Sequence, residues 1–179
     1  PVEEETLLPS SETVAIRRLV GQLPARAADN LFWYGRYLER CEATLRLVRT
    51  LAQRSLDQDF SSGGAQQTLT RLKLKLARWG AIPRAEETPD ALDAARAALS
   101  SAADYGSARS LTQRAKAAAS VIRERLSSDA WRLLLDLDAA GGDLAVDSLG
   151  EAQEVADRKL RLLAALSGLG HENTNHVAG

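Results

Sequence analysis

The chain has 179 residues, 45% of them apolar and 26% charged, with 23 basic against 24 acidic side chains. That is enough apolar material for one sizeable core, and a net charge of −1 gives no general attraction to nucleic acid or to an anionic membrane. No run of about 18 apolar residues is present, so no membrane span is expected, and the single cysteine, Cys41, excludes an internal disulfide and fits a reducing, cytoplasmic setting.

Ala and Leu dominate, with Arg, Glu and Gln behind them, and these are strong helix formers. Ile and aromatic residues are scarce, so sheet-forming runs are scarce too. The expected fold class is all-α, an antiparallel helical bundle of about five to seven helices with one long N-terminal helix and short connections.

In chain order, residues 1–22 read as a linker or short capping helix: residues 1–10 are acidic and hold Pro1 and Pro9, and Ser10 or Ser11 can cap a helix to about Val20, ended by Gly21. The chain begins without Met and contains none, so it is expected to be part of something longer. Pro24 suits the first turn of the next helix, which extends to about Asp57. Within it Leu31, Tyr34, Leu38, Cys41, Leu45, Val48 and Ala52 form a core-facing stripe at alternating spacings of three and four. Ser61-Ser-Gly-Gly64 is a loop. Residues 65–79 form a helix with Leu69, Leu72, Leu76 and Trp79 inward, and Gly80–Pro89 is a connector. Thr88-Pro-Asp starts a helix over Ala91–Ser101. The break at Asp104-Tyr-Gly106 precedes a long helix from about Ser107 to Leu126, with Leu111, Ala115, Ala118, Ile122 and Leu126 as its apolar positions. Ser127 or Ser128 caps the next helix, which carries Trp131, Leu134 and Leu135 and is ended by Gly141-Gly142. A last helix runs from about Asp147 to Ser167. The bundle therefore spans residues 23–170, and 171–179 is a polar tail.

One stretch stands apart. Phe32, Trp33, Tyr34 and Tyr37 are four of only eight aromatic residues, and they interleave with Arg36, Glu39 and Arg40 at helical spacing. Arg36 and Glu39 are close enough to pair. A second stripe, Arg26, Asn30, Trp33, Tyr37, Arg40 and Thr44, runs beside the apolar one, and Gly35 leaves a gap where a backbone or ligand can approach. A guanidinium among aromatic rings is either desolvated and paired or presented to an anionic ligand. The candidate binding residues are Asn30, Arg36, Tyr37, Glu39 and Arg40, with Arg109 added because it opens a helix whose N-terminus favours an anion. No catalytic residue stands out. Cys41 falls on the core stripe, His171 and His176 have no companion ligands, and no metal site or phosphate loop is visible.

The segment Leu23–Ala43 resembles the start of the bacterial alpha-E family, an all-helical domain named for a Glu-Arg motif, here Glu39-Arg40. The family's Arg-Ala-Asn segment falls on Arg26, Ala28 and Asn30. Ser107–Lys116 and Val121–Trp131 are similar to the family's Arg-rich middle helix and following tryptophan, with Lys116 and Ala119 departing from its more polar pattern. The resemblance covers roughly residues 23–170. It implies a longer family domain with a second Gly-Arg and Glu-Arg stretch, of which this chain is the N-terminal part. It also implies association, by fusion or as neighbours, with circularly permuted ATP-grasp proteins, which join a carboxylate to an amine. The expected partners are an ATP-grasp ligase domain in cis or trans and a homodimer through an exposed helix face, with no nucleic acid and no membrane. No cofactor is expected in this chain; ATP and Mg belong to the ligase domain.

Three functions follow as expectations. The chain is a helical accessory or substrate-recognition domain of such a ligase system. Alternatively, it is a structural or oligomerisation module whose Glu-Arg motif is a buried network. As a third reading, it is an enzyme using Glu39 as general acid or base, which the flanking arginines disfavour by stabilising the charged carboxylate.

Overall fold

The computed structural model describes residues 25–57, 63–84, 89–140 and 146–175, with side chains to Leu169. The expected linker or capping helix over residues 1–22 and the glycines at 141 and 142 lie outside these. Six α-helices and one 3-10 turn make up the described residues, with no strand among them: α1 Ala25–Leu56, α2 Gly63–Arg78, α3 Ala91–Ser100, α4 Ala108–Val121, the turn Arg123–Arg125, α5 Ser128–Ala139 and α6 Leu149–Asn175. This is the all-α bundle, with the long helix first. No helix among the described residues is long and apolar enough to cross a membrane.

Local sequence fixes the helix starts. Asp90 caps α3 by accepting from the Asp93 amide, Ser107 caps α4 at Ser110, and Ser127 caps α5 at Ala130. Each satisfies an amide that the first turn leaves without a partner. Ser148 accepts from the Glu151 amide while Glu151 reaches back to the Asp147 amide, a close variant of the reciprocal capping box. Helix α2 begins at Gly63, inside the expected Ser61–Gly64 loop, and two further boundaries differ from the sequence expectation. The helix begun at Ala108 stops at Val121 and tightens into the 3-10 turn. Arg123 holds that turn by donating to the Leu126 carbonyl and lying over the Trp131 ring. The last helix continues through Asn175, so most of the expected polar tail is helical.

Helix α1 is the axis of the bundle, packing on α2, α3, α4 and α6. Its apolar stripe goes inward: Cys41, Leu45, Val48 and Ala52 are fully buried, and Leu76, Leu99, Leu111, Leu134 and Leu163 meet them in one continuous core. The lines of contact fix direction. Tyr34 and Leu38 share a groove with Leu163 and Leu166, whereas Arg49 pairs with Asp157 at 3.4 Å, so α1 and α6 run antiparallel. Thr44 reaches Gly106, just ahead of α4, and Cys41 lies beside Thr112 one turn in, so α4 is antiparallel to α1 as well.

Among the described residues the core holds one ionic side chain. Lys159 is buried, and its Nζ donates to the Leu137 carbonyl at 2.8 Å, near the end of α5. The bond caps an orphan carbonyl with a cation at the negative end of the helix dipole. Burial lowers the Lys159 pKa below the ordinary lysine value, against the favourable charges of Cys41 and Asp138.

Candidate functional site

The sequence motif occupies the first half of α1, where the helix turns two rows of side chains away from the core. Arg36 Nη1 and Glu39 Oε2 are 2.8 Å apart, and both side chains are more than half exposed. The buried network of the alternative, structural reading does not form at this pair, which stays in water. An i, i+3 pair of long side chains has no apolar neighbour deep enough to desolvate it, and at this exposure it contributes only a few tenths of a kcal/mol.

Arg40 is placed differently. Its Nη2 donates to the Trp79 carbonyl at 3.4 Å, and its guanidinium lies 5.9 Å from the centre of the Tyr105 ring. Trp79 follows the last residue of α2, so Arg40 brings positive charge to the carbonyl-rich end of that helix. One turn further along, Thr44 is buried and donates from Oγ1 to the Gly106 carbonyl at 3.1 Å. Gly106 in turn donates its amide to the Gly80 carbonyl at 2.8 Å. Three separate parts of the chain meet here: α1, the end of α2, and the connection from α3 into α4.

Two glycines make this meeting possible. Gly80 has φ of +68°, and a Cβ there would lie 2.2 Å from the Tyr105 ring; a Cβ on Gly106 would lie 2.1 Å from the Trp79 carbonyl oxygen. Gly35, by contrast, has open space where a Cβ would sit. The gap read from its sequence is real, and nothing in the described residues fills it.

Above this junction is a shallow depression of about 290 Å³ lined by Arg36, Glu39, Arg40, Ala43, Thr44 and Trp79. The remaining predicted residues lie around it or away from it. Tyr37 stacks on Trp33, with ring centres 5.7 Å apart, and Trp33 meets Phe32 edge-on at 5.4 Å. Phe32 and Trp33 stay 60% and 51% exposed, a large apolar area to leave in water. Asn30 turns its Nδ2 to the Arg26 carbonyl of its own helix at 2.8 Å. Arg109 does not join the arginines of α1: its Nη1 lies 3.5 Å from the Ser100 carbonyl at the end of α3, where it acts on a helix terminus. The site assembles Arg36, Glu39 and Arg40, with Tyr37 beside them, and leaves Asn30 and Arg109 outside. Sequence reasoning gave Trp79 a core role only and read Gly80, Tyr105 and Gly106 as connector and break. The clustering of Gly and aromatic residues at both connections was the available signal.

Chemically the depression is weakly equipped for catalysis. Glu39 is tied to Arg36 in open solvent, without the exclusion of water that would strengthen its action on a substrate. Cys41, one residue past the motif, is fully buried with its Sγ 3.6 Å from Thr112 Oγ1. Burial raises its thiol pKa, offset in part by the Thr112 hydrogen bond, so it is a core residue and a poor nucleophile. Among the described residues no group of three or more His, Cys, Asp or Glu is placed to hold a metal ion.

The described residues form an all-helical domain whose long first helix carries the dipeptide Glu39-Arg40. The chain matches the Alpha-E family, described as a predicted alpha-helical domain with a conserved ER motif, over residues 23–179, and it belongs to that family. No curated protein and no solved structure matches it. The chain contains two Glu-Arg dipeptides, Glu39-Arg40 and Glu124-Arg125. The second sits in the 3-10 turn before α5, with Arg125 Nε 3.6 Å from Glu124, whereas Arg40 of the first connects separate helices.

Proposed function

We propose that this chain is a cytoplasmic bacterial accessory domain that docks protein through the outward face of α1, in the service of an ATP-grasp carboxylate–amine ligase. The observation that carries the docking role is the exposure of Phe32 and Trp33 beside an exposed Arg36–Glu39 pair. Large aromatic side chains with arginine close by are the residues that dominate protein interfaces. Around them the ionic rim is already in place, and Gly35 gives a facing backbone room to approach. The ligase as the served enzyme follows from the family resemblance. ATP and Mg enter through that enzyme, and this chain contributes recognition.

The test is binding of this chain to an ATP-grasp ligase from the same organism, read by calorimetry. Phe32→Ser with Trp33→Ser is expected to weaken binding on the order of a hundredfold, as loss of a hot spot does, while the melting temperature stays within a few degrees. Equal binding by parent and variant would refute the docking role of this face. No binding by either would refute the ligase association.

A further inference from the structure

The outward edge of α1 extends Phe32, Arg36 and Glu39 of the docking face into a longer pattern. Asp29, Phe32, Arg36, Glu39, Ala43 and Arg46 recur at alternating spacings of three and four, the repeat of a helix seam. All of them face away from the core: Asp29, Phe32, Arg36, Glu39 and Arg46 are exposed, and Ala43 is half-buried in the depression. The order of chemistry along this seam is acid, aromatic, base, acid, small, base. Read backwards with the charges inverted, it is nearly the same list.

That symmetry has a geometric meaning. Two copies of α1 laid antiparallel, with the twofold axis between Tyr37 and Leu38, place Arg36 opposite Glu39 of the other copy. The same register places Asp29 opposite Arg46 and Phe32 opposite Ala43. Every acid meets a base and every large group meets a small one, in both directions, as a self-complementary interface between identical chains requires. The depression then has an occupant of matching character. Ala43 forms part of its lining, and the ring opposite Ala43 is the 60% exposed Phe32. Asp29 supports the same register, since it makes no ion pair among the described residues, and the seam supplies one from Arg46.

We infer that the chain forms an antiparallel homodimer along α1, with Phe32 of each copy seated in the Ala43 depression of the other and four ion pairs across the seam. This rests on the reading of the α1 face as a protein-docking surface and seats a second copy on its Phe32, Arg36 and Glu39 edge, leaving the 51% exposed Trp33 outside the seam for the ligase. Separating Arg36 from Glu39, and Arg46 from Glu42 at 2.6 Å, forfeits little, because exposed pairs within one helix contribute only tenths of a kcal/mol. The interchain pairs replace them while Phe32 leaves water.

Ultracentrifugation of the chain alone tests this, with no ligase present. From Asp29 to Arg46 the seam is about 26 Å long, at the small end of interfaces, so concentrations up to on the order of 100 µM are used. The parent is expected at twice the 19.3 kDa chain mass. Arg36→Glu places two acids opposite each other, Glu39→Arg places two bases, and each weakens self-association by on the order of tenfold or more. Mixed together, these two variants restore every cross-seam pair and form a heterodimer. The mixing arm separates register from damage to the fold, and circular dichroism of each variant is expected to match the parent. Ala43→Arg fills the depression and leaves a monomer. A parent that stays at 19.3 kDa up to the highest concentration, single variants that still dimerise, or a mixture that does not pair would each overturn the inference. A monomeric result leaves the ligase-binding assay to decide the docking reading independently.

Discussion

Among the described glycines, Gly106 is the one where an added Cβ meets backbone most closely, and Gly106→Ala tests that approach. The added Cβ would lie 2.1 Å from the Trp79 carbonyl oxygen, 2.8 Å from the Gly80 carbonyl carbon and 2.9 Å from the Ala81 amide nitrogen. All three are backbone atoms, so no side-chain rotation relieves the overlap, and the connection into α4 has to move away from α2. That movement strains the Gly106–Gly80 hydrogen bond and pulls the Gly106 carbonyl from Thr44. Overpacking costs about 1–3 kcal/mol and each weakened buried hydrogen bond about 1 kcal/mol more, a total of roughly 4 kcal/mol. For a domain of this size the melting temperature falls by roughly 8–16 °C. Gly35→Ala is the matched control: a Cβ there meets nothing within 4 Å, and the better helix former raises the melting temperature by roughly 2–4 °C. Thermal unfolding by circular dichroism of both variants measures the contrast. If Gly106→Ala melted within about 3 °C of the parent, the close approach at this junction would not be a feature of the folded chain.

The two halves of the motif differ in stability as well. Arg40→Ala is expected to cost about 1 kcal/mol, through loss of the Trp79 carbonyl bond and the Tyr105 contact, and Glu39→Ala to stay within about 0.5 kcal/mol of the parent; urea unfolding that ranks them the other way contradicts the geometry. Lys159 carries a pH signature. Its folded pKa is lowered from 10.5, so between the two values the unfolded chain binds more protons and stability rises with pH. Lys159→Met removes this dependence. The melting temperature of the variant minus that of the parent is expected to fall, becoming less positive or more negative, as pH rises toward 10.5, and a difference that moves in the positive direction would reverse the assignment. For Cys41, burial and a raised pKa predict that iodoacetamide labels the thiol at neutral pH only at the rate of unfolding, accelerating with denaturant; rapid labelling of the native chain would show the site to be open.

Helix α1 was legible almost to the residue, because Leu31 through Ala52 repeat at one spacing and Pro24 precedes them. The break at Ile122 was not. Arg123, Glu124, Arg125 and Leu126 are good helix formers in an unbroken pattern, and only the Ser127 cap of the next helix, together with the Trp131 ring under Arg123, ends the run early. Arg109 shows the same limit. Its position at the start of α4 was readable, but the neighbouring end of α3 that claims its guanidinium was not. The buried Lys159 was hidden in Arg158-Lys-Leu-Arg161, three cations around one apolar residue, where periodicity does not reveal which cation turns inward. The junction at Gly80 and Gly106 depends on residues far apart in sequence, and no local propensity encodes their contact. What the sequence did expose of the site was its concentration of aromatic and ionic groups; which of them faced water required the surrounding helices.

The antiparallel seating of α6 on α1 has a consequence for how the chain is made. Arg49 and Asp157 are 108 residues apart, so during translation the first long helix waits for α6 for roughly 5–20 s at ordinary elongation rates. Through that interval α2 and α4 can shield part of the apolar stripe, but the side bearing Tyr34 and Leu38, later covered by Leu163 and Leu166, stays bare. Non-local closure of this kind slows folding relative to bundles of sequential neighbours. The time before α6 leaves the ribosome is thus one of exposure to aggregation and to chaperones, and a chain cut short ahead of Leu149 leaves the Tyr34 and Leu38 side of α1 without α6.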